Sequence, residues 1–90
     1  MARFYSIKGW FECLDDEVFI VKHQIDEFWR LNYSNYAMDS ERANLYQQGW
    51  IVQEQQINGI RFIFFGSMVN SIYVGFFEDL IKHILELGLN

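Results

Sequence analysis

The dipeptide Asn58-Gly59, with an apolar segment on each side, constrains the fold of this chain more than any other feature. Asn and Gly adopt positive φ readily, so this pair favours a two-residue type I′ hairpin turn. Residues 50–57 and 60–66 are therefore predicted to be antiparallel strands. The second is apolar on both faces, which predicts a central position. The first ends in the Gln and Glu residues 53–56, which are typical of an exposed edge.

A third strand is predicted over residues 4–13, where side chains alternate between two faces. We expect the first face to be buried: Tyr5, Ile7, Phe11 and Cys13. The other face carries Phe4, Ser6, Lys8, Trp10 and Glu12.

Two amphipathic helices are predicted from apolar residues at spacings of three and four. The first has the stripe Leu14, Val18, Val21, Ile25 and Phe28, with Asp15 or Asp16 as its N-cap and an ion pair between Asp26 and Arg30. The last has Tyr73, Phe77, Leu80, Ile84 and Leu87, widened by Ile81 and Leu85, with Gly88 as its C-terminal cap. Between them, residues 32–39 are predicted to be a loop, and 40–49 one or two helical turns.

The order β-α-β-β-α predicts one α+β domain over residues 1–90, with a three-stranded, mainly antiparallel sheet and two helices on one face. This is a truncated relative of the ferredoxin-like split βαβ arrangement, without its fourth strand. The alternative is an up-and-down helix pair flanking a hairpin, with the first strand displaced.

The chain has more aromatic residues than a two-layer domain of this size is expected to enclose, with 9 Phe, 5 Tyr and 3 Trp among 90 residues. If the helices cover one sheet face, Trp10 and either Phe62 and Phe64 or Ile63 and Phe65 point away from them. The surplus indicates self-association or an aromatic surface for a partner. Candidate anchors are Trp10, Trp29, Tyr33, Tyr36, Trp50, Phe62 and Phe64.

The net charge of −5, from 12 acidic and 7 basic residues, disfavours nucleic acid and suits a basic protein partner. Acidic residues that would steer such a partner are Asp15, Asp16, Glu17, Asp26 and Glu27. The leading hypothesis is an inhibitor-like or immunity-like binder of a basic protein. The alternatives are a homodimeric structural or small-ligand-binding subunit, joined through the open sheet face or the last helix, and a single-stranded RNA binder.

We expect no enzyme activity, cofactor or metal. His23 with Glu27, and Asp79 with His83, each supply two groups one helical turn apart, whereas a zinc site needs three or four. The run 15–17 lacks the ligand spacing of a calcium loop. Cys13 would need a base to act as a nucleophile, and neighbouring carboxylates disfavour its thiolate.

The single cysteine, Cys13, excludes an internal disulfide and favours a reducing compartment, so we expect the cytoplasm. The uncharged run 62–77 is shorter than the roughly 20 residues that span a bilayer. No membrane association is expected.

Overall fold

The computed structural model describes residues 3–87 and has an α+β fold with a three-stranded antiparallel sheet that is open on one face. The strands are β1 (Phe4–Leu14), β2 (Trp50–Val52) and β3 (Ile60–Asn70). The α-helices of this part of the chain are α1 (Val18–Asn32), α2 (Ser40–Gln47) and α3 (Val74–Leu85). Short 3-10 helices lie at Tyr33–Tyr36, inside the segment predicted to be a loop, and at Ser71–Tyr73.

The sheet has the order β1-β3-β2, and β3 is antiparallel to both neighbours. The predicted central position of residues 60–66 is therefore confirmed. The prediction of a strand over the whole of 50–57 is wrong for residues 53–56, whereas Ile57 forms an isolated antiparallel bridge with Ile60. Gln53 replaces part of the strand ladder with its side chain, because its Oε1 accepts from the Phe62 N–H at 3.0 Å.

The Asn58-Gly59 turn is confirmed. Asn58 has φ 54° and Gly59 has φ 81°, and Ile57 and Ile60 exchange backbone hydrogen bonds of 2.9 and 3.0 Å across it. Both residues of the turn thus take the positive φ that Asn and Gly tolerate best.

Helices α1 and α3 cover one face of the sheet and enclose the core. Trp29 packs at its centre, with ring centroids 4.4 Å from Phe76 and 5.5 Å from Phe77. The buried side chains of these two helices and of the central strand are Val18, Val21, Ile25 and Trp29 from α1, Ile63, Phe65 and Val69 from β3, and Phe76, Phe77, Leu80 and Ile84 from α3.

The helices lie over β3 more than over the edge strand β1. As a result Tyr5, predicted to be buried, is 49% exposed, and Ile7 and Phe11 are half-buried. The predicted widening of the α3 stripe is also wrong, since Ile81 and Leu85 are exposed. Phe76 is buried instead, because α1 packs on that side of α3.

The predicted N-cap of α1 is wrong. Glu17 precedes the helix and makes no capping hydrogen bond with its side chain. Asp15 instead joins the ladder end, where its N–H donates to the Gly59 carbonyl at 2.9 Å. Leu14, assigned to the helix stripe, is the last residue of β1 and is 40% exposed.

The predicted ion pair of Asp26 with Arg30 is also wrong: Asp26 binds Lys22 at 2.5 Å, and Arg30 binds Glu27 at 2.6 Å. The helical turns predicted between 40 and 49 are confirmed as α2. Asp39 caps this helix by accepting from the Arg42 N–H at 2.7 Å. The predicted cap Gly88 lies outside the described residues.

Candidate functional site: an open sheet face

The sheet face that points away from the helices, called here the open face, is mostly apolar. The antiparallel register places Trp10 opposite Phe64, and Ile51 opposite Phe64 from the other side. Residues directly opposite in an antiparallel pair share a face. The open face carries Phe4, Ser6, Lys8, Trp10, Glu12, Leu14, Ile51, Ile60, Phe62, Phe64, Gly66, Met68 and Asn70.

The row Trp10–Phe64–Ile51 crosses all three strands and is accessible to solvent. Trp10 is 64% exposed, Phe64 43% and Ile51 62%. Phe62 extends the row by stacking on Phe64 with ring centroids 5.7 Å apart, and Met68 is 59% exposed further along β3. Contiguous apolar surface of this kind marks interaction sites on proteins.

Among the strand residues that the structure describes, the open face has one charged residue of each sign, Lys8 and Glu12, on either side of Trp10 along β1. Arg61 lies on the opposite side of the sheet, because the register places it opposite Cys13. Its guanidinium lies 3.7 Å from Asp15 and over the Phe19 ring at 4.9 Å.

The structure brings three of the predicted aromatic anchors together on the open face: Trp10, Phe62 and Phe64. The prediction of Trp29 as an anchor is wrong, because its side chain is 1% exposed and cannot contact a partner. Trp50 faces the helices, half-buried, with its ring centroid 4.6 Å from that of Phe65. Tyr33 and Tyr36 are half-buried in the 3-10 helix on the helical side.

Sequence reasoning missed Ile51 and Met68. Successive side chains of a strand alternate between its two faces. Counting in steps of two along both arms of the Asn58-Gly59 hairpin therefore places Ile51 on the same face as Phe64, so the sequence contained this signal. Met68 follows Phe64 by four residues, but the predicted strand ended at residue 66, whereas β3 continues to Asn70.

The predicted acidic residues form two separate groups. Asp15, Asp16 and Glu17 lie in the turn before α1, and Asp26 lies nine residues after Glu17, about 14 Å along a helix. Asp26, Glu27 and Asp15 each have a basic neighbour. Hydrogen bonds from Arg30 hold the pKa of Glu27 below its ordinary value.

Cys13 and the two histidines are the other candidates for chemistry. Burial, and then the charge of Glu17, raises the pKa of the Cys13 thiol, which disfavours the reactive thiolate. Within 3–87, no three His, Cys, Asp or Glu side chains lie close enough together to hold a metal ion. His83 packs against Phe28 and its Nε2 lies 3.3 Å from Gln24 Oε1, between α3 and α1.

An apolar cavity of about 180 Å³ lies between β1 and α3. Ile7, Phe11, Phe77 and Leu80 contribute to its wall, and Gly9 leaves it without a side chain at the β1 edge.

Comparison with protein-family models, with curated proteins and with solved structures found no match. Among residues 3–87, no helix is both long and apolar enough to span a bilayer. The features that remain for assigning a function are the α+β fold and the open face.

Proposed function

We propose that this chain is a protein-interaction domain that binds a basic protein partner through its open face, in the manner of an inhibitor or immunity-type protein. The observation that carries the proposal is the exposed row Trp10–Phe64–Ile51 across all three strands. Large aromatic side chains near the centre of an interface commonly contribute most of the binding energy. The proposal gives the chain no catalytic step.

A protein suits this surface better than RNA. Domains that stack bases on the aromatics of a sheet also need basic groups for the phosphates. In the described part of the chain, the open face has Lys8 as its basic side chain, with Glu12 close by on the same strand.

The net charge favours a basic partner. Steering acts over distances longer than a single ion pair, so it follows the net charge of −5 rather than any one carboxylate. The pairing of Asp15, Asp26 and Glu27 with basic residues leaves that total unchanged. Asp16 and Glu17, at the turn before α1, are the acidic residues of the predicted set that remain candidates for direct contacts.

We further infer that the fold corresponds to the ferredoxin-like split βαβ arrangement without its fourth strand. Supporting this, β1 and β2 run in the same direction with β3 antiparallel between them. In that arrangement the fourth strand pairs with the free edge of β1.

We propose that the domain is cytoplasmic because Cys13, its single cysteine, is free.

The proposal is tested by capturing partners from the native host with the wild-type chain, Phe64→Thr and Ile51→Thr. Leu85→Gln is the matched control, because Leu85 is 69% exposed but lies on α3. We expect capture of a basic protein, and we expect both open-face variants to bind it about thirtyfold or more weakly, since hot-spot truncations typically cost about 2 kcal/mol or more. Calorimetry with the purified partner measures the affinities.

Raising the ionic strength should slow association of the wild-type chain with that partner. An acidic partner, association that is indifferent to salt, or an equal loss of affinity in Leu85→Gln would contradict the proposal.

A further inference from the structure

Within residues 3–87, the outer edge of β1 presents a row of backbone N–H and C=O groups that pair with no other strand. The Asp15 N–H donates to the Gly59 carbonyl at 2.9 Å, and the Ser71 N–H donates to the Arg3 carbonyl at 2.8 Å. These bonds show that the odd-numbered residues of this segment bond to the β3 side. Alternate residues of an antiparallel strand direct their N–H and C=O groups to opposite sides. Ser6, Lys8, Trp10 and Glu12 therefore direct theirs outward.

This edge is long and regular. β1 pairs with β3 over all 11 of its residues, and in the described part of the chain no strand lies on its other side. A long exposed edge is a template for pairing with another chain.

We infer that β1 pairs antiparallel with β1 of a second copy of this chain, with the two Trp10 residues opposite each other, to form a continuous six-stranded sheet. This goes beyond the proposed function, because the two copies join through the backbone edge of β1 and their Lys8 and Glu12 side chains, and no other protein takes part.

Charge complementarity favours a second copy of this chain as the partner of the β1 edge, and it favours the register that centres on Trp10. With Trp10 opposite Trp10, Lys8 of each chain lies opposite Glu12 of the other, which gives two pairs of opposite charge. Centring the pairing on Lys8 or on Glu12 instead places like charges opposite each other. Centring it on Gly9 places Lys8 opposite Trp10, and centring it on Phe11 places Glu12 opposite Trp10, so neither charge meets its opposite.

Packing on the helical side fits the same register, which places Phe11 of one copy opposite Gly9 of the other. No heavy atom lies within 4 Å of the position that a Cβ would take on Gly9. The half-buried Phe11 ring thus has space over Gly9 of the second copy, beside the apolar cavity under β1. An aromatic ring opposite an edge glycine is a recurrent stabilising pair in sheets.

Light scattering after size exclusion is expected to give about twice the chain mass of 10.8 kDa. Lys8→Glu and Glu12→Lys should each weaken dimerisation about tenfold or more, because each replaces two opposite-charge pairs with like-charge pairs. A mixture of the two variants should recover the wild-type affinity, since the acidic pair of one chain then faces the basic pair of the other. Lys82→Glu makes the same change on α3 and should leave the mass unchanged.

Zero-length cross-linking of the wild-type chain tests the register without a substitution. Lys8 and Glu12 of one chain are four residues apart on a strand, about 13 Å, which is too far for direct condensation. A Lys8–Glu12 linked peptide found by mass spectrometry therefore joins two chains.

A strictly monomeric mass at high concentration would overturn the inference, and so would a dimer indifferent to both charge reversals or lacking the cross-link. This failure is separable from that of the proposed function. If the chain is monomeric and Phe64→Thr abolishes partner capture, the edge pairing is contradicted while the proposed protein-binding function is supported.

Discussion

Trp29 illustrates how a one-residue difference in helical phase decides the role of a side chain. The stripe Val18, Val21, Ile25 continues equally well to Phe28 or to Trp29, because both spacings fit a helix. The structure buries Trp29 and leaves Phe28 half-buried. The aromatic pair Phe76 and Phe77 on α3 receives the indole, and this contact is absent from the local pattern.

Trp29→Ala is expected to lower the free energy of unfolding by about 3–5 kcal/mol, the usual range for removing a fully buried large aromatic side chain. Phe28→Ala, its sequence neighbour and matched control, should cost less than half as much. Urea denaturation followed by circular dichroism measures both. Similar losses in the two variants would mean that Trp29 does not hold the centre of the core.

Tyr36 links the 3-10 helix to α3 through a hydrogen bond. Its hydroxyl donates to Asp79 Oδ2 at 2.5 Å. This bond, together with burial and the charge of Asp79, raises the pKa of Tyr36. The folded protein thus holds the phenolic proton more tightly than the unfolded chain does, so the associated stability is complete below the ordinary tyrosine pKa of about 10 and is lost as the pH rises above it.

Tyr36→Phe should therefore reduce the free energy of unfolding at pH 7 by about 0.5–1 kcal/mol. The difference from wild type should shrink as the pH is raised through 10 in denaturation series. Tyr33→Phe is the control, since in residues 3–87 the Tyr33 hydroxyl makes no hydrogen bond, and at pH 7 it should cost less than Tyr36→Phe. A constant difference for Tyr36→Phe between neutral and alkaline pH would rule out the assigned bond.

At the scale of elements, Gly49 shows a local signal with a tertiary cause. Its position in the sequence predicts the end of the helical turns that begin near residue 40. α2 does end just before it, yet positive φ among the described glycines occurs at Gly59. A Cβ on Gly49 would lie 2.7 Å from the Gly66 carbonyl oxygen and 2.9 Å from the Phe65 ring. Close approach of β2 to β3, rather than helix capping, requires glycine there.

Gly49→Ala is expected to destabilise the fold by about 1–3 kcal/mol, because the strand backbones must separate to admit the methyl group. Gly66→Ala is the matched control, since a Cβ at Gly66 meets no heavy atom within 4 Å. Thermal unfolding of both variants measures the effect. An unchanged melting temperature for Gly49→Ala would show that the contact relaxes without cost.

For the molecule as a whole, the three tryptophans differ in how far they are exposed to solvent. Trp10 is 64% exposed on the open face, Trp29 is 1% exposed, and Trp50 is half-buried on the helical side. Collisional quenching of fluorescence therefore samples Trp10 most strongly. The inferred pairing of β1 strands brings two Trp10 rings together and reduces their exposure.

Acrylamide quenching of the wild-type chain should fall as its concentration is raised through the dimerisation range. Lys8→Glu should keep the higher, monomer-like quenching over the same range. Trp10→Phe should lose most of the quenchable fluorescence, which would assign that fluorescence to Trp10. Quenching that is independent of concentration in the wild-type chain would show that Trp10 stays open to solvent.

The sequence by itself determined the elements. Periods of two and of 3.6 residues predict β1, β3, α1 and α3, and Asn58-Gly59 predicts the turn, because these signals depend on neighbouring residues. Parity also placed Trp10 among the residues that share one sheet face.

Only the tertiary structure decided which face of β3 the helices cover, where β2 ends, and that Trp29 is buried. Alternation along a strand shows which side chains share a face. In β3, where both faces are apolar, it does not show which face the helices cover. That choice depends on contacts between residues far apart in the sequence, such as Trp29 with Phe76 and Trp10 with Phe64.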